Sequence, residues 1–395
     1  MKTNNKYTLR LSACALAPIL NPSHGIELFN GKVGNEHVKV SVGGYAKVDV
    51  RHVEGDIAYQ DYWIGNFPGG EAIETSHTGF NVGESRLNMG VSIGEVSTFI
   101  EVDMYGGGGN EAVSNSTNLR LRHFFITYKN WSAGQNWSTF MPLHVIPESL
   151  DFGGPHVGEV FARQVQVRYT SGNWQFAIES PETIGDGDTD APANAVGLTG
   201  VAAAPDESTP DFVVRYNLDS QYGQYAFGSV IRLVDQGGVE EVTAAVNIAG
   251  KIPLFAKDDL RFQLTAGKPG RYAAAGMTAD VVEDPATQTL ETESTLAYTV
   301  AYRHFWTETL RSTVFYGAAK TDILGRKRSH WAVNVIDTVA PRLDVGLEFG
   351  AYSINDDNID SIDTQRQTET DIDNIDSNGT QRQTETDRDK QRHRQ

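Results

Sequence analysis

Thiols are almost absent from this 395-residue chain: Cys14 is its only cysteine. Residues 1–25 are the expected leader, and with them removed no thiol remains, which excludes a disulfide framework and thiol catalysis; a thiol-free chain suits passage through an oxidising periplasm. No run of 18 apolar residues occurs either, which excludes a transmembrane helix. It does not exclude a membrane barrel, whose lipid-facing residues fill alternate positions only. Helical periodicity is weak throughout. The signatures of chemistry are missing too. Gly106–Gly109 has no following Gly-Lys-Ser/Thr, so it reads as a flexible loop and not a phosphate cradle. Asp186-Gly-Asp-Thr-Asp190 opens like a calcium loop, but Gly197 stands where the closing Glu belongs, so an acidic surface loop is the better reading. His144 and His156 share a segment without metal-ligand spacing, and no Gly-x-Ser-x-Gly elbow occurs. No catalytic group, metal or cofactor is expected.

What the chain does have is alternation. Leu119-Arg-Leu-Arg122 and Gln164-Val-Gln-Val-Arg-Tyr169 each present one apolar and one polar face as strands. Leu260, Phe262, Leu264 and Ala266 alternate with Arg261, Gln263 and Thr265, and Leu343, Val345, Leu347 and Phe349 with Asp344, Gly346 and Glu348. About fifteen such segments run from Val38–Arg51 to Arg342–Tyr352. Their connections alternate in length. Gly94–Val96, Lys129–Trp131, Ser171–Asn173 and Val339–Pro341 are short, whereas Val53–Gly83, Thr139–Phe161, Pro181–Pro210 and Pro269–Glu293 are long. A soluble sandwich has no reason to sort loops by parity, whereas an outer-membrane barrel has short periplasmic turns and long outer loops. Tyr128, Trp131, Trp174, Tyr216, Tyr298 and Trp331 lie at strand ends, where membrane interfaces place aromatic rings.

Residues 1–25 read as a secretory leader, with Lys2, Lys6 and Arg10 before an apolar Leu11–Leu20 and small residues at Ser23-His-Gly25. A lipoprotein box at Leu11-Ser-Ala-Cys14 is the rival, weakened by its short apolar run. The expected barrel spans 26–354. From 355 to 395 an acidic low-complexity tail repeats with a 16-residue period, Asp357-Asn-Ile-Asp-Ser returning as Asp373-Asn-Ile-Asp-Ser. With only Ile as its apolar residue, it cannot bury a core and should be disordered.

The formal net charge is −18, with acids crowded into segments read as loops. The arginines are elsewhere. Arg86, Arg120, Arg122, Arg168, Arg215, Arg232, Arg261, Arg303 and Arg311 each fall on the polar face of an expected strand. A lipid-facing Arg costs about 2–4 kcal/mol near the midplane, so these should face water as pore-lining residues. The segment from Phe140 to Pro155 is apolar for a solvent loop. Folded back inside the barrel it would narrow the pore, with Phe140, Pro147, Asp151, Phe152, Gly153 and Gly154 at the constriction.

Gly43-Gly-Tyr-Ala-Lys-Val-Asp-Val-Arg51, Ser85-Arg-Leu-Asn88, Leu119-Arg-Leu-Arg-His123, Gly134-Gln-Asn-Trp-Ser-Thr-Phe140, Leu150-Asp-Phe-Gly-Gly-Pro155 and Arg163-Gln-Val-Gln-Val-Arg168, in this order, resemble the DcaP-like porins over about residues 26–352. The resemblance implies a trimeric outer-membrane channel of about sixteen strands for small anions, dicarboxylates above all. It also implies lumen positions for Arg86, Arg120, Arg122 and Arg168. The chain departs from it in lacking a last strand that ends in an aromatic residue, and residues 26–37 are too short for the N-terminal coiled coil of some members. The expected fold is all-β, a transmembrane antiparallel β-barrel with its last strand apparently missing and a disordered C-terminal tail. Small anionic solutes, outer-membrane lipid and two further copies are the expected partners, with no nucleic acid. The alternative is a non-conducting structural or adhesive outer-membrane barrel.

Overall fold

The computed structural model describes residues 5–13, 25–55, 75–106, 114, 116–150, 157–181, 208–236, 238–255, 257–273, 280–284 and 286–356. The chain opens with β1 (Asn5–Ala13), β2 (Ile26–Val33), β3 (Glu36–Tyr45) and β4 (Val48–Gly55). Next come β5 (Thr75–Asn81), β6 (Arg86–Ile93), β7 (Val96–Asp103), β8 (Arg120–Tyr128) and β9 (Trp131–Trp137). After a long inward segment follow β10 (Arg163–Ser171), β11 (Trp174–Glu179), β12 (Asp211–Ser220), β13 (Gly223–Gln236), β14 (Val239–Pro253) and β15 (Asp259–Gly267). A separate small hairpin, β16 (Val281–Glu283) and β17 (Leu290–Thr292), precedes β18 (Thr295–Phe305), β19 (Leu310–Thr321), β20 (Arg326–Ala340) and β21 (Leu343–Asp356).

Every pairing is antiparallel. The ladder runs from β3 to β6 and then strand by strand from β7 to β15, β18 and on to β21. β1 lies between β21 and β4, and β4 pairs on its other side with β5. Since β4 continues β3 after Ala46 and Lys47, the wall returns to the stretch of chain from which it started. β2 pairs only with β3 among the described residues.

All fifteen expected segments are strands, but Val38–Arg51 is broken at Ala46-Lys47. β1 falls within the expected leader, where Tyr7, Leu9 and Leu11 alternate with Lys6, Thr8 and Arg10. β5 carries a single large apolar side chain, Phe80, so it has no periodicity to read. The expected tail begins within β21, which continues to Asp356. Residues 357–395, and the Asp186–Asp190 segment, lie outside the described residues.

Burial along the strands is inverted relative to a soluble sheet. On β14, Val242 and Val246 are 69% and 53% exposed, while Thr243 and Asn247 are 2% exposed. On β15, Leu264 is exposed while Gln263 and Thr265 are buried, and on β18 Leu296, Tyr298 and Val300 are exposed while Thr295 and Thr299 are buried. An apolar outer face needs lipid around it. Near the short turns the outer face carries aromatic pairs, Trp131 with Tyr169 at 4.7 Å and Trp174 with Tyr216 at 4.8 Å between ring centroids. Among the described residues no helix is long and apolar enough to cross a membrane.

Val246→Arg tests the outward assignment. Mid-strand on the lipid face, it should cost about 2–4 kcal/mol in urea unfolding from vesicles, against almost nothing for Val246→Leu. Equal stability of the two variants would place Val246 away from lipid.

Candidate functional site

The inward segment, described over residues 138–150 and 157–162, enters the barrel, and its first part is held strand by strand along one side of the interior. At its root, the Thr139 N–H donates to Glu179 Oε1 at 2.7 Å. Phe140 is fully buried, packed in one cluster with Val213, Val230 and Ala245 and edge-on to Tyr272 at 5.8 Å. Arg215 on β12 donates to the Met141 carbonyl and Arg261 on β15 to the Ile146 carbonyl. Glu148 is gripped by Arg303 on β18 at 3.3 Å and Arg311 on β19 at 2.7 Å. Asn334 on β20 donates to the Glu148 carbonyl at 2.9 Å, and the Leu150 N–H donates to Glu348 on β21 at 2.9 Å. Lys47, at the β3–β4 break, reaches the Leu150 carbonyl at 2.6 Å and pairs with Glu84 and Asp49. Pro142 and Pro147 are buried in this segment; having no N–H, they need no donor partner inside the barrel.

The segment thus follows β12 to β21 and leaves the β6–β8 wall facing the opening. On that wall Arg120 donates twice to Asp103, at 3.0 and 2.6 Å. Arg122 donates to Glu101 at 2.8 Å and to Asp103 at 2.9 Å, and Arg86 lies 3.9 Å from Glu101. A β-bulge makes this possible. Register shifts between Glu101 and Val102, so that Glu101 faces His123, Val102 faces Leu121, and Arg122 is the extra residue. Bulges re-aim side chains, and here both Arg122 and His123 end up buried.

Residues 32–175 match the family described as DcaP outer membrane protein. Over that stretch the chain resembles the DcaP family. The crystal structure of the outer membrane channel DcaP of Acinetobacter baumannii aligns with a TM-score of 0.64 at 19% identity, covering 83% of this chain and 99% of that one. An anion-selective porin from Comamonas acidovorans aligns at 0.48 with 10% identity, over 80% and 100%. Salmonella typhi OmpF, in complex with daunomycin, aligns at 0.46 with 10% identity, over 84% and 100%. No curated protein matches the chain. The chain accordingly has the fold of an outer-membrane β-barrel channel.

The nine arginines named from the sequence fall into two groups. Arg86, Arg120, Arg122, Arg232, Arg261, Arg303 and Arg311 each have a carboxylate within 4.0 Å; Arg232 holds Asp211 and Asp280, and Arg261 holds Asp259. Arg168 and Arg215 have only neutral acceptors. Of the six constriction positions, Phe140 and Pro147 are buried, and Asp151, Phe152, Gly153 and Gly154 lie outside the described residues.

Sequence reasoning missed Lys47, Glu84, Glu148, Asn334 and Glu348 as anchors of the segment. Glu148 carried a usable signal, the one acid in the largely apolar stretch 140–150. Glu159 was missed as well. It is 1% exposed, one of its carboxyl oxygens has no partner among the described residues, and burial pushes its carboxyl well above the usual range.

Proposed function

We propose that this barrel is a passive diffusion channel for small anionic solutes, dicarboxylates among them, and that it assembles as a homotrimer. The observation that carries the reading is the charge on the interior of β6 to β12. Arg86, Arg120, Arg122, Arg168 and Arg215 stand there against Glu101, Asp103 and Glu179, while Asp211 is held by Arg232 and Arg271. The chain as a whole is acidic at −18, yet charges in open water are screened beyond about 8 Å at physiological salt. Charges inside a narrow passage with low-dielectric walls are focused, and arginine-lined constrictions favour anions. The protein needs no catalytic group for this work.

Reversal potentials across a salt gradient test the reading. A several-fold anion preference is expected, and a cation-selective pore would overturn it. A barrel that inserts but never conducts is the structural or adhesive alternative. Assembly is tested separately. Unheated detergent extracts should migrate near three times the monomer mass of 43.3 kDa, and a monomer throughout mild extraction would refute the trimer.

A further inference from the structure

Seven of the nine arginines named from the sequence carry a carboxylate on their guanidinium. Such a pair presents a dipole to a passing ion, and its field falls off faster than that of a single charge. The two that remain are neighbours. β11 separates their strands, with Arg168 opposite Ala177 and Arg215 opposite Gln175. At about 4.8 Å per strand and 3.4 Å per residue, their backbones stand about 12 Å apart. Two arginine side chains leaning inward over that span bracket the ends of a small dicarboxylate.

We infer that Arg168 and Arg215, at the root of the inward segment, form the anion-binding step of the channel and take a solute carboxylate. This rests on the anion-channel reading above.

The hydrogen bonds support it. Arg168 Nε donates to Thr139 Oγ1 at 2.7 Å and Gln166 Oε1 at 3.1 Å. Its Nη2 donates to the Trp137 carbonyl and to Gln166 Oε1 at 2.9 Å. No bond from its Nη1 occurs among the described residues. Arg215 donates from its two terminal nitrogens to the Met141 carbonyl and to Gln175, and its Nε is buried without a partner. Both side chains are therefore fixed by neutral acceptors and keep their full charge. Glu179 is the acid that shares their field. Its oxygens accept from the Thr139 N–H at 2.7 Å and the Tyr272 hydroxyl at 3.2 Å, and it forms no ion pair with either guanidinium. His144 also feels the charge of Arg215, and its Nε2 is buried without a partner. Burial, with Arg215 beside it, holds its imidazole below the usual value, so it adds hydrogen-bonding capacity without a third charge. A fixed planar fork suits a carboxylate better than a mobile ammonium does.

The test compares full-length variants in planar bilayers, with succinate as the probe that blocks chloride current. Arg168→Gln with Arg215→Gln should raise the half-blocking succinate concentration at least tenfold and bring the anion preference close to unity. The charge-balanced control removes an ion pair that has no part in the arginine wall, Lys268→Gln with Glu241→Gln together. It should shift the half-blocking concentration less than twofold. A control that loses succinate block as fully as the Arg168/Arg215 pair overturns the inference. Arg168→Lys with Arg215→Lys keeps the charge but not the fork, and should retain the anion preference while weakening succinate block. If the Gln pair fails to insert, this Lys pair and single Arg215→Gln carry the test, and unchanged block in both overturns the inference. A wild-type channel without anion preference would instead refute the anion-channel reading itself.

Discussion

Removing residues 5–13 should abolish refolding into a heat-modifiable barrel. Residues 5–356 should refold in detergent, and residues 26–356 should not. β1 is in register with β21 from Asn5–Ser353 to Ser12–Gly346, and with β4 from Thr8–Val53 to Ala13–Val48. Without β1, both facing edges carry rows of unpaired N–H and C=O groups. In hydrocarbon each such group costs several kcal/mol. A handful of them exceeds the roughly 5–15 kcal/mol that separates folded from unfolded chains. The effect should therefore be all or none. Equal refolding of the two chains would show that the wall seals without β1, and would leave residues 1–25 to the leader role that their basic start suggests.

Lys47→Met should be the most damaging single change inside the barrel. Lys47 is 5% exposed and holds two acids and a main-chain carbonyl at once. Its removal takes the ammonium away from buried Asp49 and Glu84 and loosens the far end of the inward segment. Losing one partner of a buried charge cluster costs about 3–5 kcal/mol. The urea midpoint should fall accordingly, and single-channel current should become noisier as Leu150 loses one of its two anchors. Lys47→Met with Asp49→Asn and Glu84→Gln should recover most of the stability but not the quiet current. A Lys47→Met protein as stable as the parent would mean that the cluster is wet.

The strands were legible because lipid on one side and a polar interior on the other leave a period-two record in the sequence. β14 and β18 carry that record almost without fault. The interior pairing was not legible. Which acid meets which arginine depends on register, and the bulge at Arg122 changes the parity of β8 without any mark in the sequence. Arg120 and Arg122 thus looked like open charges when they are tied to Asp103 and Glu101. Lys47 was hidden for a similar reason. Read inside an unbroken strand it is one more alternating residue, and only the two-residue break before β4 gives it its role. The inward segment was recognisable from its apolar character, but its path along β12 to β21 rests on partners far away in the chain.

The hold on that inward segment has a consequence for how the protein can change over generations. Four of its anchors grip main-chain oxygen: the carbonyls of Met141, Ile146, Glu148 and Leu150. A carbonyl is the same whatever side chain follows it, so such a grip is blind to substitution within the segment. Apart from the packed Phe140 and Met141 and the gripped Glu148, the side chains there are free to drift while the bore keeps its width. Inheritance can thus retune which solutes pass, one residue at a time, without reopening the question of whether the barrel folds.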